Sequence, residues 1–504
     1  MKRCLFSLGI PLLVLFPWSV VAQNVVKVGM EQIPSSFDPF GAYTGAEAAF
    51  FELFFDSLYR LGPGGSLIPW LAAEEPHILE VGNQLQMVIP LRSGVRWHDG
   101  NSFTVEDVLY TFQEIYLNPQ HPRSSLWRTA VLGAEATGTD EISLVINGER
   151  MLYVFELLCR PLFPQGFAQG GPVPVQDLVG TGPFLFNDRL GDGYLTVRRN
   201  WWYHAQGWQI EGGSVGPHLS GLLFKAVPAA GVEEAFQRKD IDLFLGTAQL
   251  DPARAYWISC ADGIRLLAFN LRRNPGGDRA FRRAIAAVTG QLLAELGDLG
   301  PSPIPFARPE EPARNILAQA GYTWDEAGSL IFPNGSPLPE LRLVVLAGEK
   351  DFWRRFFAQG LREKLAELGV KVELTEGDTA SLLETVFLHY DYDLLIYGWQ
   401  ISQGFPVHLV ELLYSGTAGQ FGPNISGFAH PEYDFHVAKL LAADSLGEIS
   451  AQAGELVRIV AEELPLLPLF FNEDGFIHSK DSSVRRYFNF AGGFWSFAGF
   501  HFAP

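Results

Sequence analysis

From residue 341 to residue 397 the chain beats out a rhythm of short apolar runs and helical periodicity. Strand-like stretches at 341–346, 370–374 and 392–397 are separated by helical ones at 352–368 and 381–387. Strands that alternate with helices pair in parallel, because each helix carries the chain back across the face of the sheet. A parallel sheet is covered on both sides, so this part of the chain is predicted to be a two-sided α/β body. Helices at 435–441 and 449–463 and the apolar run 466–471 are expected to complete it, and 301–312, with five prolines, to be an irregular connection before it. At 504 residues the chain exceeds what one hydrophobic core supports, so at least two lobes are expected. No internal repeat is visible.

The first half reads differently. Residues 25–30 alternate as a strand, 33–43 form a loop containing Phe37-Asp38-Pro39, and 45–59 read as a helix burying Phe50, Phe51, Phe54 and Leu58. Residues 85–92 alternate as a half-buried strand; Gly94 and Asp99-Gly100 then provide turn backbone. Thr104 and Asp107 have the spacing of a reciprocal capping box, ahead of an apolar helical stripe of Val105, Val108, Leu109 and Phe112. After a strand at 141–146 and a helix at 151–158, the Gly/Pro-rich passage 165–174 suggests a boundary. Val179-Gly180-Thr181-Gly182-Pro183-Phe184 then opens a hairpin that turns at Gly191-Asp192-Gly193 and ends before Asn200. The aromatic C-terminus, FAGGFWSFAGFHF, is expected to supply the last strand and wall packing of the first lobe.

Composition narrows the functional classes. Lys2 and Arg3 followed by a mostly apolar run to Val21 read as an export signal, with cleavage expected after Ala22. Without those two cations, 35 basic residues face 56 acidic ones and the net charge is about −21. Nucleic acid is excluded as a partner, since phosphate binding needs clustered cations. Cys159 and Cys260 would remain, and two separate thiols are expected rather than a bridge. Neither a metal-ligand spacing nor a phosphate-cradling loop is present, so no metal and no cofactor is expected. Gly212-Gly213-Ser214-Val215-Gly216 fits the pattern of a hydrolase nucleophile elbow, but Pro217 follows where a helix should begin.

The run LR-x-G-V-x-W-H-D-G-x-x-F-T-x-E-D-V at 91–108 resembles the signature of family 5 of the bacterial extracellular solute-binding proteins, the dipeptide, oligopeptide and nickel receptors of ABC importers. Pro69-Trp70-Leu71-Ala72 and the later VGTGPF…VRRNWWY match further landmarks of that family in the right order. The resemblance implies a two-lobed periplasmic-binding-protein fold of type II with an extra inserted domain. Lobe I would comprise 23–50, 166–265 and 472–504, the insertion 51–165, and lobe II 266–471. Chain crossings near Leu266 and Phe471 would form a hinge. The protein would be an extracytoplasmic monomer that is not an enzyme, holding a peptide-like or other small polar solute between its lobes and handing it to a membrane permease.

Tyr397-Gly398-Trp399 follows a strand, where ligands of open α/β sheets lie. Peptide-binding members carry an Asp three residues after the Gly-Trp pair, anchoring the peptide's amino group. Here Ser402 stands in that place, and a hydroxyl cannot supply the charge-assisted bond a buried ammonium needs. The solute is therefore expected to lack a free amine, unless an acid elsewhere, such as Glu411, replaces the Asp. Candidate ligand-binding residues are Trp399, Gln400, Ser402 and Phe405, together with Tyr43, Trp127, Phe269 and Asn270. The rival readings are an exported hydrolase using Ser214, and a sensor or chaperone on the same fold that transports nothing.

Overall fold

Three sheets organise the chain in the computed structural model, which describes residues 25–41, 45–61, 67–82, 84–169, 171–190, 193–210, 213–246, 255–259, 263–296, 309–347, 352–400, 406–471, 475–479, 484–486 and 500–502. The expected export signal lies outside these residues. In the first sheet the strands run in the order Phe184–Leu190, Tyr194–Arg199, Gly221–Ala226, Val25–Met30, Leu243–Gly246, Gly475–Ser479, Ala255–Ser259. Val25–Met30 lies parallel to both its neighbours and buries Val26, Val28 and Met30. A second sheet orders Val372–Gly377, Leu341–Leu346, Leu394–Gln400, Gly263–Phe269 and Leu466–Phe471. The third holds His77–Val81, Gln84–Pro90, Glu141–Ile146 and Val131–Ala136, all antiparallel.

The second sheet is mixed, where the strand–helix rhythm alone predicts a parallel one. Its strands at Leu341–Leu346, Val372–Gly377 and Leu394–Gln400 are parallel, as the intervening helices require. Gly263–Phe269 runs antiparallel between Leu394–Gln400 and Leu466–Phe471, because the chain enters this sheet from the first one instead of from a crossover helix. The helix Arg279–Leu296 buries Phe281, Ile285, Ala286 and Leu292. Helices Pro431–Ala442 and Leu446–Glu463 pack together and are longer than the apolar spacing suggests.

Strand membership locates the two passages between the first and second sheets. One falls between Ser259 and Gly263, the other between Phe471 and Gly475. Entry to the second sheet therefore comes at the Gly263 end of its strand, with Phe269 at the opposite end.

The 91–108 run is held by its own polar side chains. Thr104 and Asp107 form the capping box, with Thr104 N–H donating to Asp107 Oδ2 at 2.9 Å. The same carboxylate accepts from the Trp97 indole at 3.1 Å and from the Gln165 backbone N–H at 2.9 Å. His98 reaches further: its backbone N–H donates to Gly180 O at 2.8 Å, Gly180 N–H donates to His98 Nδ1 at 3.2 Å, and His98 Nε2 donates to Gly182 O at 3.0 Å. Burial brings the His98 imidazole down to about 4, so it is neutral near pH 7 and can accept at one nitrogen while donating at the other. The two sequence landmarks are thus bonded to each other.

The expected helix over 45–59 stops at Phe51. Beyond it the carbonyls are taken by other segments: Leu53 O by Phe184 N–H, Phe54 O by Gly182 N–H, and Leu58 O by Trp70 N–H. The approach of 180–182 is so close that a Cβ on Gly180 would stand 1.6 Å from Phe54 O, which only glycine avoids.

At the centre of this junction is Asp56, whose side chain is fully buried. It accepts from Arg60 at 2.6 Å, Trp70 Nε1 at 2.9 Å, Thr181 Oγ1 at 3.1 Å, Tyr203 Oη at 3.2 Å and His204 Nε2 at 3.2 Å. Burial opposes its charge, but the His204 hydrogen bond and the Arg60 guanidinium outweigh it and hold the carboxyl well below the usual range. Asp56→Ala strands Arg60, His204 and three hydroxyl or indole donors, with an expected cost of about 3–5 kcal/mol in urea unfolding. A depressed folded pKa gives stability that is present above the ordinary value of 3.8 and lost as pH falls towards the folded value. Asp56→Asn should accordingly flatten the acid limb of the stability profile; an unchanged limb would rule out Asp56 as its source.

Candidate functional site

Trp399 lies one residue from the end of Leu394–Gln400, paired with Ile264, while Gln400 pairs with Gly263. It therefore sits at the end of the sheet where the chain arrives from the first one. Beside it the Arg265 side chain lies across the strand at Gly398, its Nη1 2.6 Å from where a Cβ would be, so a larger residue there would push the guanidinium aside. Trp399 is half-buried, and its indole N–H donates to Glu411 Oε2 at 3.3 Å. Glu411 is carried by the helix Val407–Leu413, which Val407, Val410 and Leu413 fix against the core.

The other Glu411 oxygen turns to the opposite body. Oε1 accepts from Arg123 Nη1 at 3.1 Å, at the start of the helix Ser124–Ala130 that packs on the third sheet. Arg123 Nη2 donates to Glu156, on the helix Met151–Leu158. Glu156 is nearly fully buried and also accepts from Arg160 at 2.7 Å and the Trp127 indole at 3.4 Å. A continuous polar chain, Trp399–Glu411–Arg123–Glu156, thus joins two parts of the molecule. Burial raises the Glu411 pKa while Arg123 pulls it back. Burial alone would lower Arg123, but Glu156 and Glu411 together lift it above its ordinary value.

Aromatic rings back the guanidinium. His121 Nδ1 accepts from Arg123 N–H at 3.1 Å, and burial, then the Arg160 and Arg123 charges, bring His121 down to about 4. Its ring contacts Trp127, Tyr116 and Phe40. Phe40 brings the Asp38-Pro39 loop to this cluster.

The predicted residues divide sharply. Trp399 joins the cluster directly and Trp127 supports it from a fully buried position, as a core residue rather than an exposed wall. Phe269 and Asn270 fall at the other end of their strand, because antiparallel pairing sets Phe269 opposite Leu394. Asn270 is spent on structure: Nδ2 donates to Tyr390 O and Tyr392 O, both at 2.9 Å, and Oδ1 accepts from Arg272 N–H. The backbone of Gln400 is in the strand, whereas Tyr43, Ser402 and Phe405 lie outside the described residues. Cys159 is a free thiol pushed up to about 12 by burial, and Cys260 is outside the described residues. Ser214 belongs to a two-residue strand paired with Gln209–Ile210, and the next regular element is the strand Gly221–Ala226, not a helix. No group of metal-binding side chains occurs among the described residues. Arg123, Glu156, Arg160, His121 and Phe40 are among the participants the sequence reading missed.

The family model for bacterial extracellular solute-binding proteins, family 5, matches residues 66–421. The chain belongs to this family. Among its family 5 relatives, the oligopeptide-binding protein AppA of Bacillus subtilis is 21% identical over 434 residues, 78% of this chain and 77% of its own length. The periplasmic murein peptide-binding protein MppA of Escherichia coli is 21% identical over 501 residues, covering 88% and 86%. The crystal structure of a periplasmic oligopeptide-binding protein from Thermotoga maritima superposes with a TM-score of 0.72 at 18% identity, over 95% of this chain and 99% of that one. The fold is that of the family 5 periplasmic binding proteins.

Removing Glu156 leaves Arg123, Arg160 and the Trp127 indole without their shared acceptor. Glu156→Ala is expected to cost about 3 kcal/mol in urea unfolding, and Glu156→Gln, which keeps an acceptor, clearly less. Equal losses in the two variants would mean that packing, not charge, holds this helix.

Proposed function

We propose that this family 5 protein is the extracytoplasmic capture subunit of an ABC importer, taking a peptide-like or other small polar solute between two lobes and delivering it unchanged to a permease. The observation that carries the reading is the position of Trp399, at the carboxyl end of a parallel strand and beside both chain passages. That end of an open α/β sheet is where ligands lie, and an indole offers an apolar face with one polar edge. Paired chain passages suit a hinge, and differential affinity for the closed form would drive closure. Two family 5 relatives carry peptide-binding names, which supports a peptide-like solute.

The amine end of such a solute is a separate matter. Ser402 stands where peptide-binding members have Asp, and the carboxylate of Glu411 is already engaged by Arg123 and Trp399. A free ammonium short of a partner loses about 2–5 kcal/mol of binding. The favoured solute is therefore one whose recognised end is blocked, cyclic or otherwise without an amine.

Native mass spectrometry of the protein purified under mild conditions should find a bound small molecule. Adding that molecule back should lower the radius of gyration and change tryptophan emission. A tight ligand that leaves both unchanged would sink the closing mechanism, and a ligand released chemically altered would sink binding without catalysis.

A further inference from the structure

We propose that Arg123 is a positioning residue: from the body of the third sheet it straps Glu411 against Trp399, and this strap sets how far the two bodies stand closed before any solute arrives. The inference rests on the two-lobed binding reading above and adds to it a specific device in this chain.

Its geometry is that of a divided guanidinium. Nη2 serves Glu156 in its own body and Nη1 serves Glu411 in the other, while Nε is buried without a hydrogen-bond partner. An arginine devoted to one carboxylate would present its nitrogens as a fork and use two parallel bonds. Here one donor is left unused while two acids on different bodies share one cation, an arrangement that joins them at the expense of the best bond to either. Glu411 is divided in the same way, with one oxygen on Arg123 and the other on the Trp399 indole. Opening the bodies must break the Arg123–Glu411 link. Arg123 would keep Glu156, and Glu411 would keep only the weaker indole contact. The helix Pro431–Ala442 packs on Met151–Leu158 next to this link, so the strap lies on a surface that already meets face to face.

Lysine separates a strap from a merely structural role. Its ammonium is a point charge on a flexible stem and can stay with Glu156, but it cannot span two acids as a fork does. Arg123→Lys should therefore keep the fold and lose the link. Glu411→Gln removes the charge from the other side while leaving an oxygen for the Trp399 indole.

The test uses solute-free protein throughout. Small-angle scattering is measured for wild type, Arg123→Ala, Arg123→Lys and Glu411→Gln as NaCl rises from about 0.02 M to about 1 M. Wild type should be the most compact at low salt and expand as salt screens the link. The variants should be expanded already and nearly indifferent to salt, with the open-to-closed ratio raised about tenfold. Trp399 emission should shift in the same sense. Glu432→Gln, which breaks an exposed pair with Arg458 within one body, serves as control and should behave as wild type. If Arg123→Ala fails to fold, the lysine and glutamine variants still decide. A radius of gyration and salt response for Arg123→Lys and Glu411→Gln equal to wild type would overturn the strap. Because no solute enters the experiment, that outcome would leave the importer reading standing, just as a failure to find a solute would leave the strap standing.

Discussion

One buried carboxylate holds the first half of the molecule together. Asp56 gathers Arg60 and Trp70 from its own neighbourhood, Thr181 from the glycine loop, and Tyr203 and His204 from beyond the hairpin. None of these segments is brought there by helix or strand pairing alone. An unpaired charge in such a place would be intolerable, and it is the number of donors that makes the site stable. The His98 contacts to Gly180 and Gly182 close the same knot from the side of the 91–108 run. Those conspicuous residues of the run, Trp97, His98 and Asp107, are structural fasteners, and nothing about them requires a ligand.

What could be read from the sequence followed from local rules. The capping box of Thr104 and Asp107, the parallel rhythm beginning at Leu341, and the place of Trp399 at a strand end all depend on residues close together in the chain. The helix expected over 45–59 failed because its carbonyls are claimed from outside it, Leu53 O and Phe54 O by residues more than a hundred positions away and Leu58 O by Trp70, which no periodicity reveals. The direction of Gly263–Phe269 was hidden for a similar reason, and with it the placing of Phe269 and Asn270 at the opposite end of the strand from Trp399.

The missed residues did leave a mark. Asp56 and Glu156 are both acids set inside aromatic-rich apolar runs, LFFDSLYR and MLYVFELLCR, each followed four places on by an arginine. An acid that folding drives indoors needs a cation within reach, and a spacing of four can supply one. In the structure both pairs form, Arg60 to Asp56 and Arg160 to Glu156, each acid then recruiting indole and other donors from elsewhere. The pattern marks a polar hub in the core; whether that hub organises a fold, as Asp56 does, or reaches a neighbouring body, as Glu156 does through Arg123, is decided by tertiary structure.

The antiparallel pairing of Gly263–Phe269 with Leu394–Gln400 also has a mechanical meaning. Trp399 and Gln400 lie next to the points where the chain passes between sheets, and Phe269 lies five residues along, on the order of 17 Å away at strand rise. For any rotation about those passages, displacement grows with distance from the axis. The indole is nearer the fulcrum and moves through the shorter arc, while the far end of the same sheet swings through the longer one. In the closing motion proposed above, such a layout would let a small molecule be gripped by fine adjustments at the pivot while the outer surface, where another protein would read the state, moves far enough to be noticed.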